Sequence, residues 1–130
     1  MAGAERMGML SGQCAIVTGA SRGIGRATAL LLARSGADLV INGTNAGLLD
    51  DLAAEIAGMG RVAVPSTGDL SDPEVASKAV EIARERFGRI DILVNNAGIN
   101  LRGATLDVAQ EDWQRVLDIN LNGTLHFCRP

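Results

Sequence analysis

An α/β fold, a doubly wound parallel sheet with helices on both faces and strands in the order 3-2-1-4, is what this sequence predicts, on three grounds. Short apolar runs alternate with longer segments of helical periodicity, joined by connections of a few residues, as right-handed crossovers in a parallel sheet require. Apolar residues make up 47% of the chain but aromatics only 2%, so Ala, Val, Ile and Leu must fill the interior, as they do in sheets covered on both faces. The third ground is the stretch Cys14-Ala15-Ile16-Val17-Thr18-Gly19-Ala20-Ser21-Arg22-Gly23-Ile24-Gly25, a buried strand that runs into a glycine turn and the start of a helix.

Residues 1–12 carry glycine, charge and methionine without periodicity and are expected to form a flexible leader, which leaves 13–130 as one domain. After the first strand, a helix over residues 24–35 is expected to turn Ile24, Ala27, Leu31 and Leu32 toward the sheet and to stop at Gly36. Strand two follows over 38–42, and Asn45 is placed to cap a second helix whose apolar positions are Leu48, Leu49, Leu52 and Ile56, ended by Gly58 and Gly60. Strand three is expected over 61–65. Ser71-Asp72-Pro73-Glu74 reads as a capping box with proline in the first turn of a third helix, whose buried face is expected to be Val75, Ala79, Ile82, Ala83 and Phe87, closed by Gly88. Strand four, over 90–94, leads into Asn95-Asn96-Ala97-Gly98. A last helix starts near Gln110, with Trp113, Val116, Leu117, Leu121, Thr124, Leu125 and Cys128 on one stripe and Asn120 set among them.

A net charge of −3 with scattered basic residues offers no stripe to track a phosphate backbone, which argues against nucleic acid as a partner. The apolar runs are too short to span a bilayer and the start of the chain lacks a signal peptide's continuous apolar segment, so no membrane is expected and the cytoplasm is the default location. Cys14 and Cys128 both fall in apolar contexts and are expected to be reduced core thiols; with a single histidine, His126, they have no metal-ligand spacing.

The glycine turn is the chemical centre of this reading. A helix N-terminus presents unpaired N–H groups and a partial positive charge, so a strand that delivers a glycine turn there makes an anion site, with phosphate the obvious guest. The spacing, G-x-x-x-G-x-G, is neither the G-x-G-x-x-G of the standard dinucleotide fingerprint nor a Walker loop, since no Gly-Lys-Ser/Thr follows. In the strand order above, both this turn and Asn95 to Gly98 lie at the carboxyl ends of adjacent strands, at the switch point where a ligand binds.

These residues resemble the short-chain dehydrogenase/reductase family. Thr18-Gly19-Ala20-Ser21-Arg22-Gly23-Ile24-Gly25 matches its T-G-x-x-x-G-x-G cofactor motif, Asn95-Asn96-Ala97-Gly98 its N-N-A-G motif, Asp69 the acidic residue after strand three, and Asn120 the asparagine of the fourth helix. The resemblance implies a Rossmann-type cofactor half in which the glycine turn holds the pyrophosphate, Asp69 and Leu70 contact the adenine, Asn96 steadies the central strand, and backbone around Ala97 and Gly98 lines the cofactor. Relatives that use NAD commonly carry Asp or Glu near the end of strand two; here the strand ends in Asn42-Gly43-Thr44. Arg22, Thr44 and Asn45 are therefore candidates to meet a 2′-phosphate, and NADP(H) is favoured over NAD.

The resemblance further implies hydride transfer between a nicotinamide and a small ketone or secondary alcohol, with a Tyr moving the proton, a Lys lowering its pKa, a Ser orienting the substrate and the fourth-helix Asn supporting a relay. Of that set only Asn120 is matched, and the chain contains no Tyr. The expectation is thus a cofactor-binding half that is inactive alone, a fragment of a parent roughly twice as long that oligomerises with its own kind. A self-sufficient, non-catalytic dinucleotide-binding module is the competing reading. The loop from Gly98 to Arg102 is similar to that of sugar-acid and polyol dehydrogenases such as gluconate 5-dehydrogenases, with Arg102 a candidate carboxylate binder, while 3-oxoacyl carrier-protein reductases share the rest of the pattern.

Overall fold

The structure, a computed structural model, describes residues 8–130. The first seven residues of the expected leader lie outside that range; residues 8–12 form turns, tied down where Leu10 N–H donates to the Ser35 carbonyl at 2.8 Å. The elements are β1 (Cys14–Val17), α1 (Gly23–Arg34), β2 (Asp38–Gly43), α2 (Ala46–Ala57), β3 (Ala63–Thr67), α3 (Pro73–Phe87), β4 (Ile92–Val94), a short 3₁₀ turn at Thr105–Asp107, and a final helix in three parts. That helix comprises α4 (Gln110–Leu117), a π-helical segment (Asp118–Asn122) and α5 (Gly123–Cys128). All strand pairs are parallel and the order is β3-β2-β1-β4, as the sequence predicts.

Strand alternation splits the core in two. Ala15, Val17, Leu39 and Ile41 face α1 and α2, where they meet Ala29, Leu30, Ala33, Leu49, Leu52 and Ile56. Cys14, Ile16 and Val40 face the other way, onto Ala76, Ala79, Val80 and Ala83 of α3 and onto Ile119 and Phe127 of the final helix. β1, central and apolar throughout, is buried along its whole length, which is why it can carry a turn whose geometry is fixed. Helix ends follow local chemistry. Asn45 Oδ1 accepts from Leu48 N–H at 3.0 Å, Asp72 caps α3 through Glu74 N–H at 3.0 Å with Pro73 behind it, and Gly88 closes α3 at φ 74°.

Several expectations need correction. β3 runs over Ala63–Thr67 rather than 61–65, because pairing with β2 sets Leu39 opposite Ala63 and carries the ladder on to Gly43 and Thr67. β4 begins at Ile92, since the Asp91 carboxylate turns back to accept from Cys14 N–H and from Arg89. In α1 the face against the sheet is Gly25, Ala29, Leu30 and Ala33, while Ile24 is 78% and Leu31 62% exposed. The helix is apolar nearly all round, so periodicity could not choose a face; small residues win because α1 lies close over the turn after β1. α3 presents Ala76, Ala79, Val80 and Ala83, with Val75, Ile82 and Phe87 only partly buried at the edge.

The final helix departs furthest. Ile119, Gly123 and Phe127 form its buried line, while Trp113, Leu121 and Leu125 of the expected stripe point outward and are 57%, 64% and 45% exposed. The π segment widens one turn and so shifts the phase on which an unbroken 3.6-residue period depends. Gly123 lets the helix approach closely, for a Cβ there would lie 2.7 Å from Leu70 Cβ.

Cys128 is likewise exposed, not a core thiol, and only Cys14 is buried. Burial first, then the Asp91 and Asp38 charges, push the Cys14 thiol from 9.0 up to about 11, with Arg89 opposing. Because the folded value is raised, the neutral thiol's contribution to stability is complete below the ordinary value and is lost as pH climbs through the folded one. At about pH 8 the native chain is expected to react with a thiol reagent at Cys128 alone, Cys14 labelling only after denaturation or in strong alkali. Equal labelling rates for the two thiols would contradict the burial of β1.

Candidate functional site

The cleft that matters is built from the junction of β1 and β4. Thr18, fully buried at the end of β1, receives the N–H groups of Asn96 and Ala97 on Oγ1, both at 3.0 Å, and directs its own hydroxyl toward the Val94 carbonyl at 3.3 Å. Asn96 returns the bond: its Nδ2 donates to the Thr18 carbonyl at 3.2 Å and the Gly19 carbonyl at 3.1 Å. The two sequence motifs are thereby fastened side by side. Gly19 adopts φ 63°, and a Cβ on it would sit 2.8 Å from Ala97 Cα. Gly25, in the first turn of α1, is tighter still, since a Cβ would meet the Gly19 carbonyl oxygen at 2.1 Å and Asn96 Nδ2 at 2.5 Å.

Around this junction lies a cleft of about 520 Å³ over the carboxyl ends of the strands, within the size range of small-molecule sites. Of the residues expected from sequence, Gly19, Ser21, Arg22, Thr44, Asp69, Leu70, Asn96, Ala97 and Gly98 line it. Thr18 sits behind the wall as the fastening. Gly23, at φ 61°, and Ile24 open α1 beside the lining, and no side chain caps that helix N-terminus. Asn45 spends its side-chain oxygen on capping α2 and is outside the lining. Asn120, in the π segment, spans Ile99, accepting from its N–H at 2.8 Å and donating to its carbonyl at 2.9 Å. It thus sets the path of the loop after Gly98. Arg102 is exposed and outside the lining.

Asn42, Gly43, Gly68, Ile99, Arg115 and Ile119 complete the walls. Asn42 is fully buried; its Nδ2 donates to the Ser66 carbonyl at 3.0 Å and the Gly68 carbonyl at 3.3 Å, holding the loop after β3. Its Oδ1 and the Ser21 Oγ are buried without a partner among the described residues. Gly43 leaves room for the Ser21 hydroxyl, which a Cβ there would meet at 2.2 Å and force to turn away. Asp69 accepts on Oδ1 from Ser71 N–H at 2.8 Å and from the Ser71 hydroxyl, and on Oδ2 from Arg115. Burial works to raise its pKa, but those Ser71 bonds and the Arg115 charge outweigh it and hold the carboxyl below the usual range. Only Asn42 and Gly43 carried a readable signal, a polar residue and a glycine at the end of a predicted strand. Arg115 is 46 residues from its partner, and nothing local announces the pairing.

No helix among the described residues is long and apolar enough to cross a membrane, and none of their side chains cluster as metal ligands.

Replacing Gly25 by Ala is expected to destabilise the junction by about 3 kcal/mol, since backbone and not a flexible side chain must give way. Amide exchange at Thr18 and Ala20, whose N–H groups bond across the strands to Val94 and Asn42, should accelerate by at least about tenfold. Unchanged rates would mean that the junction tolerates a wider approach.

Comparison with known proteins places this geometry. The short chain dehydrogenase profile matches residues 13–130. The 3-oxoacyl-[acyl-carrier-protein] reductase of Synechocystis is 42% identical over 118 residues, which are 90% of this chain and 48% of that protein. The probable oxidoreductase EphD of Mycobacterium tuberculosis is 46% identical over 113 residues, 87% of this chain and 19% of its own length. A short chain dehydrogenase from Burkholderia cenocepacia, solved in complex with NADP, aligns with a TM-score of 0.90 at 38% identity, covering 93% of this chain and 50% of that one. The chain spans about half the length of the reductase and of the Burkholderia protein, and less of EphD. With its profile matched across nearly the whole chain and its two motifs fastened at one end of a 3-2-1-4 sheet, the chain belongs to the short-chain dehydrogenase family.

Proposed function

We propose that this chain is the NADP(H)-binding half of an oxidoreductase that interconverts a small ketone and a secondary alcohol. The observation that carries the reading is the cleft itself. It opens at the carboxyl ends of β1, β2 and β4, presents an uncapped helix N-terminus beside a glycine turn, and holds two buried polar atoms, Ser21 Oγ and Asn42 Oδ1, that no group among the described residues satisfies. An orphaned buried polar atom costs about 1–3 kcal/mol, so a polar guest at this place would recover part of that cost. The residues fit a phosphorylated dinucleotide.

In this reading the backbone amides at the start of α1 take the pyrophosphate, where no Cβ stands in the way at Gly19. Arg22 and Thr44, both exposed at the cleft edge, take the 2′-phosphate, and no carboxylate at the end of β2 repels it. Asp69 and Leu70 hold the adenine, and backbone at Ala97 and Gly98 lines the nicotinamide side. A bound nicotinamide would supply or accept the hydride. Asn120 shapes the loop beside it and is the one member of the family's proton-transfer set matched here. The 130 residues contain no Tyr, so they supply no phenol for the proton step. The relative solved with NADP supports the cofactor choice. The outward line of Trp113, Leu121 and Leu125 supports self-association of the whole protein through the final helix.

Titrating the chain into NADPH and following nicotinamide fluorescence is the direct test. Saturable binding in the micromolar range, without oxidation of NADPH by added ketones, is expected; absence of binding at high micromolar concentration would remove the reading. A Thr44→Asp variant sets a carboxylate where a 2′-phosphate would lie, and should weaken NADPH binding by about tenfold or more while leaving NADH binding no worse. Equal losses for both dinucleotides would place the 2′-phosphate elsewhere.

A further inference from the structure

We propose that Arg115 is a positioning residue for purine recognition: reaching from α4, it holds the Asp69 carboxylate so that one acceptor faces the cleft for the amino group of adenine. The inference rests on the dinucleotide reading above and assigns part of its specificity to a helix that the motifs do not include.

Counting acceptors supports it. A carboxylate offers about four lone-pair sites. Ser71 N–H and the Ser71 hydroxyl occupy Oδ1 of Asp69, and the Arg115 guanidinium occupies one side of Oδ2. One site on Oδ2 is left, and Asp69 lines the cleft. Ser71 lies two residues along the same loop and Arg115 lies on α4, so the carboxylate is gripped from two directions and its plane is set. The loop beneath is fixed as well, for Asn42 Nδ2 holds the Gly68 carbonyl and His126 Nδ1 lies 3.1 Å from the Leu70 carbonyl.

The pairing contributes little to stability. The Arg115 and Asp69 side chains are 51% and 32% exposed, and ion pairs this wet contribute at most about 1 kcal/mol. α4 buries none of its residues, so the ion pair ties this helix to the β3 loop at the place where a base would lie. Orientation is the property that depends on it. A fixed carboxylate acceptor welcomes a 6-amino purine and repels a 6-oxo purine, whose oxygen is also an acceptor, whereas a carboxylate free to rotate discriminates less.

The test compares NADPH with its reduced hypoxanthine analogue, titrated into the 130-residue chain and into variants, with nicotinamide fluorescence as the readout. The unaltered chain should prefer NADPH by about tenfold or more. Arg115→Ala should lose most of that preference, and Arg115→Lys, which keeps the charge, should restore part of it. A general loosening of the fold would weaken both dinucleotides together and leave their ratio unchanged, so Arg115→Ala that keeps the full preference overturns the proposal. Should Arg115→Ala fail to fold, Arg115→Gln replaces it under the same criterion. An unaltered chain that binds both dinucleotides equally overturns the proposal yet leaves NADPH binding intact, whereas one that binds neither defeats the dinucleotide reading and this inference with it.

Discussion

A single buried hydroxyl, that of Thr18, holds the working end of this molecule together. Its oxygen takes two backbone N–H groups from the segment after β4, and the Asn96 amide answers with bonds to two carbonyls of the segment after β1. These are main-chain groups just past the end of the parallel ladder, where a buried N–H or carbonyl still needs a partner. The exchange brings two loops to a separation at which only glycine fits, which is why Gly19 and Gly25 stand where they do. The fastening holds the glycine turn and the Ala97-Gly98 backbone side by side along the cleft.

Around the fastening the protein divides its labour by face and by end. The two apolar layers, one under α1 and α2 and the other under α3 and the final helix, bury β1 from both sides and make its end a rigid platform. The carboxyl end then carries the polar atoms that a core would not tolerate. Asn42 shows the division within one side chain: its Nδ2 is spent on holding the β3 loop, while its Oδ1 and the neighbouring Ser21 Oγ have no partner among the described residues. The opposite end of the sheet is closed in the ordinary way, with Asp91 held by Arg89 and by the Cys14 N–H and thereby kept below the usual carboxylate range.

Much of this was legible from local chemistry. Parallel topology followed from alternating elements with short connections, and the cap at Asn45 followed from residue type and position; the capping box expected from Ser71 to Glu74 did not form, since Asp72 is the N-cap of α3 and the Ser71 hydroxyl is spent on Asp69. The two glycine-containing motifs were readable because each is contiguous and lies at the end of a strand. Helix faces were less so. α1 is apolar nearly all round, and its choice of Gly25, Ala29 and Ala33 for the sheet reflects how closely it must lie over Gly19. The final helix buries Ile119, Gly123 and Phe127 because a π turn at Asp118–Asn122 moves its phase, and no periodicity count anticipates an extra residue in one turn.

By itself, then, the amino-acid sequence determined the order and type of the elements, the strand order, and the backbone-lined part of the site, because those depend on interactions between residues near one another or on glycine's conformational freedom. Tertiary structure alone decided what faces what: that Thr18 is a fastening and not a wall, that Asn42 supports the loop ahead of Asp69, that Trp113 and Leu121 look outward, and that Arg115 reaches Asp69. Such contacts join residues tens of positions apart, and they are set by how closely the layers pack, a distance that no single segment encodes.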